Sequence, residues 1–354
     1  MQQRHTNPLA FGLIYIPAAL LVVAMCGQGY WTVVPLVFVL LGIPLLDLVG
    51  GELEQPKIRP EDEPRFTQII APYGIVFVLL LVAGILTIAD PETTLFEAVA
   101  LTMSFGVVSG SVGMAVAHEL IHRRAFWLRA QGQAILISCL YYQYYVEHLQ
   151  GHHAKAATYD DPSSARFNET VYAFLPRTLF GTWRSAYDIE CRRLGKRGQR
   201  GFSPRNRLLR GTALSLLVVV AAFLLGGLPG LGFLFGQAVI AILILEMTNY
   251  VEHYGLTRDQ DSEGRYRSID DVDSWNATPR MSGYFLIKLQ CHSDHHIRPA
   301  RKYESLEIRE EAPVFPAGYF AMVPLTLVPP LWRRVTHPII QAHAWPGQSV
   351  ADHG

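Results

Sequence analysis

Charged residues are missing from long stretches of this chain. Between Arg4 and Asp47 lie 42 residues without an Asp, Glu, Lys or Arg, and further uncharged runs cover 66–89, 98–118, 130–146 and 211–245. A helix crosses the hydrocarbon core of a bilayer with roughly 20 apolar residues, so at least three of these runs are long enough to span. The first run breaks at Gly27-Gln28-Gly29-Tyr30 and the last at Gly226-Gly227-Leu228-Pro229-Gly230, where glycine and proline interrupt helix. Asp90-Pro91-Glu92 ends another segment. The pattern predicts six spans, near 9–26, 31–49, 69–89, 95–117, 208–225 and 231–250, with the fourth helix continuing to His122. Residues 130–146 are apolar but marginal in length, which predicts a re-entrant or interfacial helix, and 314–335 is expected to pack beneath the membrane domain. The fold class expected is an all-α integral membrane protein, a single domain over 1–354, with a histidine-rich helical cap built from the cytoplasmic parts 51–68, 123–207 and 251–354.

Composition agrees with this pattern. Half of the 354 residues are hydrophobic and 17% are charged, against about 25% charged in soluble proteins. A soluble monomer, a disordered chain and a collagenous chain are excluded. The turns 27–30, 90–94 and 226–230 contain no Lys or Arg, and all 30 basic residues fall at Arg4, in 51–68, in 123–210 or after 257. By the positive-inside rule both termini and the long connections face the cytoplasm, which for a bacterial chain means the inner membrane. The N-terminal run is too long for a signal-peptide core and has no small-residue cleavage site, so it reads as the first membrane helix. A formal net charge of zero gives no polyelectrolyte signal for nucleic acid. The four cysteines form no CxxC pair, which argues against a disulfide framework, an iron–sulfur site or a thiolate zinc site.

Nine of the 13 histidines fall in four short clusters. His118 and His122 stand in HELIH at the inner end of the fourth helix. His148, His152 and His153 stand in EHLQGHH, His253 in NYVEHYG, and His292, His295 and His296 in LQCHSDHH. Residues at i, i+3 and i+4 share a helix face, so 118/122, 148/152 and 292/295/296 can each aim imidazoles at one point. The six-span topology puts all four clusters at one membrane depth. Ionisable groups there are costly and mark function. A metal site follows, whereas His5, His337, His343 and His353 read as ordinary hydrogen-bonded residues. HExxH alone would suggest a zinc protease with Glu119 as base, but catalytic zinc takes three protein ligands and nine imidazoles are too many. Shared between two ions they give four or five each. Imidazole suits Fe, Cu, Zn and Ni alike, so ligand type does not choose the metal. The neighbouring Glu119, Glu147, Glu252 and Asp294, and less strongly Asp160, Asp161, Asn249 and Asn276, are candidates to accept the second ring N–H of a ligating histidine. No further catalytic residue is expected beyond the metal site.

At these residues the chain resembles the membrane-bound alkane 1-monooxygenases, within the histidine-rich di-iron hydroxylases and desaturases. HELIHRR at 118–124 looks like the family's first histidine box, EHLQGHH at 147–153 its second and LQCHSDHH at 289–296 its third, while NYVEHYGL at 249–256 looks like the HYG box that separates alkane hydroxylases from most desaturases. Asp161-Pro162, Ser274-Trp275-Asn276, Arg301-Tyr303-Ser305-Leu306 and Pro316-Gly318-Tyr319 match as well, so the resemblance covers roughly 114–338. Cys291 replaces the usual Arg before the third box, and Ala277-Thr278-Pro279-Arg280 differs from the usual Ser-Asn-His. The xylene monooxygenases share the layout, though their second and third boxes differ more from this chain.

The resemblance implies two non-haem iron ions and terminal hydroxylation, in which an alkane from the bilayer, O2, two electrons and two protons yield a primary alcohol and water. No nucleotide-binding glycine motif, haem signature or cysteine cluster is present, so electrons must arrive from outside. The resemblance implies rubredoxin with an NAD(P)H-dependent reductase. Arg192, Arg193, Lys196, Arg197, Arg200, Arg205, Arg207 and Arg210 could dock an acidic carrier or bind anionic headgroups. Small residues at Gly106, Ser109, Gly110, Ser111 and Gly113 could leave room for a substrate channel or allow close helix packing. A sibling oxygenase acting on methyl-aromatics or acyl chains, an intramembrane zinc protease and a metal transporter are the alternatives.

Overall fold

The computed structural model describes residues 5–342, so Arg4, His343 and His353 lie outside the described residues. Five helices are long and apolar enough to cross a membrane: α1 (Pro8–Gly27), α2 (Gly29–Gly50), α3 (Pro60–Ala89), α4 (Leu95–His122) and α8 (Arg207–His253). Between α4 and α8 lie α5 (Phe126–Ser138), α6 (143–155) and α7 (Val171–Gly195). After α8 come β1 (Asn276–Ala277), α9 (Arg280–Phe285), α10 (His292–Ile297), β2 (Val314–Phe315), α11 (Tyr319–Leu325) and α12 (Pro329–Ala342). The two strands pair in parallel, Asn276 with Val314 and Ala277 with Phe315.

The longest helix is not continuous. Gly227 has φ 58° and ψ −148°, two residues before Pro229. A Cβ placed on Gly230 would lie 2.8 Å from the carbonyl oxygen of Ala222, although eight residues of straight helix would separate them by about 12 Å. The chain therefore doubles back in the Gly226–Gly230 stretch, and α8 is two arms packed side by side. Glycine is needed at 227 because a side chain there would be strained.

The turns without Lys or Arg gather at one end. The Gly29 N–H donates to Glu97 Oε1 at 2.7 Å, while Glu97 also closes a capping box with Thr94 at the start of α4. Gly226 packs on Ile85 and Ala89 at the end of α3. His122 and His253 close α4 and α8 at the opposite end. Small residues bring these two helices together: a Cβ on Gly106 would meet Ile240, and one on Gly110 would meet Ala241 and Ile244. Helices without a hydrophobic drive between them associate through such close contact.

The marginal segment 130–146 forms the end of α5, a turn and the start of α6. Helix α5 ends among the long helices, where its last carbonyls cannot reach water. Ile137 O accepts from Ser215 Oγ at 3.3 Å and Ser138 O from Gln237 Nε2 at 3.0 Å, both from α8. At the C-terminal side Trp332 of α12 is buried against Tyr250, Tyr254 and Phe315.

Helix α7 is fastened to the start of α8 by Glu190, whose buried carboxylate pairs with Arg193 at 2.7 Å and Arg207 at 2.6 Å. Burial opposes its charge, but the two guanidiniums and the Arg207 N–H hold its pKa down at about 2. Because the folded value lies below the ordinary 4.5, this clamp contributes fully above about pH 4.5 and is lost as pH falls towards 2. Glu190→Gln is expected to lower stability by about 1–3 kcal/mol at pH 7. Thermal unfolding in detergent should show the difference from wild type shrinking as pH falls from 5 towards the lowest pH the protein survives.

Candidate metal centre

The nine box histidines meet at the inner ends of α4 and α8, and they sort into two groups. His118, His122, His148, His153 and His295 form one; His152, His253, His292 and His296 form the other. Within each group one ring nitrogen per residue lies within 4.8 Å of all the others. In the first, Nε2 of His122, His148, His153 and His295 are spaced 3.1–3.3 Å along the chain of contacts. In the second, the Nε2 atoms of His152, His253, His292 and His296 are 3.0–3.2 Å apart.

These spacings test whether a cation fits. A metal–imidazole bond of about 2.1 Å puts neighbouring ligand nitrogens about 3.0 Å apart in octahedral geometry and about 3.4 Å apart in tetrahedral geometry. The observed values fall in that range. A hydrogen-bonded cluster would need one donor and one acceptor at every contact, yet a neutral imidazole has a single N–H. His118 Nε2 is buried without a hydrogen-bond partner. Burial, and then the neighbouring imidazoles, push His148, His153, His292, His295 and His296 well below their usual pKa, which keeps their lone pairs free. Both groups could hold a metal ion.

One local expectation fails. His148 and His152, four apart, face different groups, while His148 and His153, five apart, share one. Residues 148–152 form a π-helical turn, whose i→i+5 bonding brings the fifth residue onto the same face. Likewise His295 leaves its neighbours His292 and His296 for the other group. The second and third boxes thus each supply both groups, while His118 and His122 serve only the first and His253 only the second.

The carboxylates divide in the same way. Asp161 accepts from His152 Nδ1 at 2.9 Å, and Glu252 Oε1 lies 3.3 Å from His292 Nδ1. Burial works against an imidazolium at His152, but Asp161 raises its pKa all the same; burial of Asp161 is in turn outweighed by His152, which lowers it. The backbone carbonyl of Asp273 lies 3.2 Å from His253 Nδ1, a contact that residue type could not announce.

The other candidates bond elsewhere. Glu119 pairs with Arg123 at 2.6 Å, Glu147 accepts from Ser185 at 3.3 Å, and Asp294 pairs with Arg298 and Arg301. Asn276 fixes the backbone and hydroxyl of Ser293, and Asn249 donates to Glu246. Asp160 lies in a polar surface cleft. The first five hold the frame of the site rather than an imidazole, and Asp160 lies away from it. His337 packs on Phe167 and meets the Tyr254 hydroxyl, and His5 meets the Lys57 carbonyl, both outside the cluster.

Two buried groups were not anticipated. Glu246, which ends an uncharged run of the sequence, takes hydrogen bonds from Tyr141, Thr178 and Asn249; a lone carboxylate in an apolar helix is itself a signal of a polar network. Lys288, in the left-handed region at φ 59°, donates to the carbonyls of Glu304 and Leu306 and so fixes the entry to the third box.

An apolar cavity of about 190 Å³ reaches the first group from the membrane side. Val107, Gly110, Met114, Leu245, Phe320 and Leu327 line it, and His118, Asn249 and Glu252 stand in its wall. Gly110 and Ser111 line this space, while Gly106 and Gly110 also provide the close approach to α8. The small-residue stripe thus both lines a cavity and packs closely on α8.

Buried imidazoles beside a lipid-accessible apolar cavity define a membrane-embedded metal-dependent enzyme. The chain belongs to the fatty acid desaturase family, whose sequence profile matches residues 94–326, and within it to the alkane 1-monooxygenases. It is 34% identical to alkane 1-monooxygenase 2 of Alcanivorax borkumensis, over 97% of this chain and 92% of that protein. Alkane 1-monooxygenase 1 of Pseudomonas aeruginosa is 36% identical over 87% of this chain and 83% of its own. The xylene/toluene monooxygenase hydroxylase component XylM of Pseudomonas putida is 26% identical over 97% and 92%.

The division of carboxylates generates a test. Asp161→Asn should weaken metal retention about 10–100-fold, the usual cost of losing the acceptor behind a ligating histidine. Glu119→Gln should leave metal content at the wild-type level. Metal analysis after graded chelator dialysis checks both, and equal loss in the two variants would remove the distinction.

Proposed function

We propose that the protein is a membrane-bound di-iron monooxygenase that hydroxylates the terminal methyl of alkanes. In this reading α8 counts as two spans, giving six. Both termini and the histidine groups face the cytoplasmic side of the inner membrane, and 1–354 is one domain whose parts outside the spans are 51–68, 123–207 and 251–354. One iron would be held by His118, His122, His148, His153 and His295, the other by His152, His253, His292 and His296. Iron, when bound, supplies the redox chemistry for activating O2 and attacking an unactivated C–H bond. The observation that carries the proposal is the apolar cavity ending on His118, in a chain of this family.

The residues of the chain do the rest. The cavity is lined almost wholly by apolar side chains, so it accepts a saturated chain from the bilayer and excludes water from the reacting end. With the cavity ending on His118, a chain that enters end-on presents its terminal methyl there. Asp161 and the Asp273 carbonyl orient His152 and His253, and Glu252 lies beside the His292 ring. The overall reaction balances as alkane, O2, two electrons and two protons giving primary alcohol and water.

Electrons are proposed to come from rubredoxin and its NAD(P)H-dependent reductase. Of the basic segment, Arg193 and Arg207 are occupied by Glu190, while Arg192, Lys196, Arg197, Arg200, Arg205 and Arg210 are exposed. Reversing the charge of Lys196, Arg197, Arg200 and Arg205 should raise the rubredoxin KM and abolish its salt dependence without releasing the protein from membranes. An unchanged salt profile would assign these residues to headgroups.

The second reading, methyl-aromatic oxidation, is favoured by the XylM similarity across nearly the whole chain. Membranes with rubredoxin, reductase and NADH would be given equal octane and p-xylene under oxygen, with His118→Ala as the blank. Predominant 1-octanol is expected. Predominant 4-methylbenzyl alcohol would overturn alkane preference while retaining the metal centre.

A further inference from the structure

Helix α7 has three faces. Phe174, Thr178, Thr182 and Ala186 are buried against the membrane helices. At 100° per residue, a second stripe of Tyr172, Phe180, Trp183 and Tyr187 lies about 100° from a third, polar one containing Arg177, Arg184 and Asp188. The aromatic stripe is unusually open: Tyr172 is 58% exposed, Phe180 80% and Trp183 48%. Large apolar side chains arrayed along one side of a helix mark an interaction surface, unlike the same residues scattered singly.

Depth shows what covers it. Thr178 Oγ1 donates to Glu246 Oε2 at 2.6 Å, and the Tyr141 hydroxyl, which donates to the same carboxylate, lies 3.4 Å from Thr182 Oγ1. Glu246 stands seven residues before His253 on an apolar helix, about 10 Å deeper into the membrane than the helix end. The middle of α7 is therefore at bilayer depth, although the sequence pattern assigned 123–207 to the cytoplasm. The stripe is also continuous with apolar surface at its start. The Tyr172 hydroxyl donates to the carbonyl of Leu327 at 2.7 Å, and Leu327, Val328 and Leu331 are each nearly half exposed. Trp183 and Tyr187 stack with rings 1° from parallel. Tyr and Trp are the residues that settle at the headgroup–acyl boundary, and a basic flank on the other side suits anionic headgroups.

We propose that α7 is an in-plane interfacial helix whose aromatic stripe is seated in the inner leaflet, with Arg184 turned to the headgroups. The cap thereby rests on the bilayer through its own membrane contact, separate from the spans. Because Leu327 also lines the apolar cavity, this seating ties the cavity rim to the leaflet from which an apolar substrate enters. The inference is independent of which substrate is oxidised.

Nitroxide labels test it. The full chain in a Cys26→Ser/Cys191→Ser background would carry Phe180→Cys, Trp183→Cys, Arg184→Cys or Asp188→Cys. The labelled proteins would be placed in nanodiscs of phosphatidylethanolamine and phosphatidylglycerol. Power saturation should give several-fold more collision with O2 than with a water-soluble nickel chelate at 180 and 183, and the reverse at 184 and 188. Nickel collision at 180 equal to that at 184 would overturn the proposal. So would protection of 180 from both reagents, which would indicate a second chain, or loss of O2 collision on adding rubredoxin, which would indicate carrier docking. Because labels sit at exposed positions, unchanged metal content in each variant verifies the fold independently of the result.

Discussion

Nine imidazoles brought nitrogen to nitrogen cannot satisfy one another. A neutral ring offers one N–H and one lone pair, and spacings of 3.0–3.3 Å among several Nε2 atoms leave lone pairs facing lone pairs. A cation at the centre of each group would turn this repulsion into attraction. Everything else in the fold answers to that requirement, since four segments of chain must arrive at one place and be held there. Helix α4 delivers its pair as the rigid end of a long helix. Helix α8 delivers His253 after doubling back at Gly227. The other two segments are short: the third box is fixed by buried polar bonds, Asn276 to Ser293 and Lys288 to the carbonyls of Glu304 and Leu306, and the second by Ser185 donating to Glu147 and His152 donating to Asp161.

Much of this was legible because membranes make sequence informative. Hydrocarbon imposes length and excludes charge, so the spans stood out as uncharged runs, and the Lys/Arg-free turns do gather at one end of the molecule. The histidines were legible for the same reason, since polar residues at that depth are costly unless they serve a purpose. What could not be read was the assignment within boxes. Helical spacing of four joined His148 to His152, but a single π turn moves the shared face to His153. Nothing in residue type announces a π turn, because it is set by packing against neighbours rather than by local propensity.

The acidic residues illustrate a second limit of the same kind. Six were candidates by nearness to a box, yet only Asp161 and Glu252 approach a ring. Adjacency in sequence places a side chain on a neighbouring face of the helix, about 100° round, so it more often points away from the imidazole than toward it. Asp161 succeeds because it lies across a turn, and Glu252 because it reaches a histidine from a distant box. The carboxylates that point away still matter: Glu119 with Arg123, and Asp294 with Arg298 and Arg301, replace water around the backs of the boxes.

The two groups are electrostatically unequal, and the inequality has a physical logic. Five neutral imidazoles surround one centre without a carboxylate on any ring. The four-imidazole group has Asp161 and Glu252 behind two of its rings and a backbone carbonyl behind a third. An acceptor on Nδ1 fixes the proton there, directs the Nε2 lone pair inward and makes that nitrogen a stronger donor. Asp161 thus places a negative charge directly behind His152, in the group that has four imidazoles rather than five. The apolar cavity opens on His118, in the group with no carboxylate behind its rings. Glu252 is the one carboxyl among the residues that line the cavity, while Asp161 lies outside that lining, so the cavity end stays mostly apolar and compatible with a saturated chain.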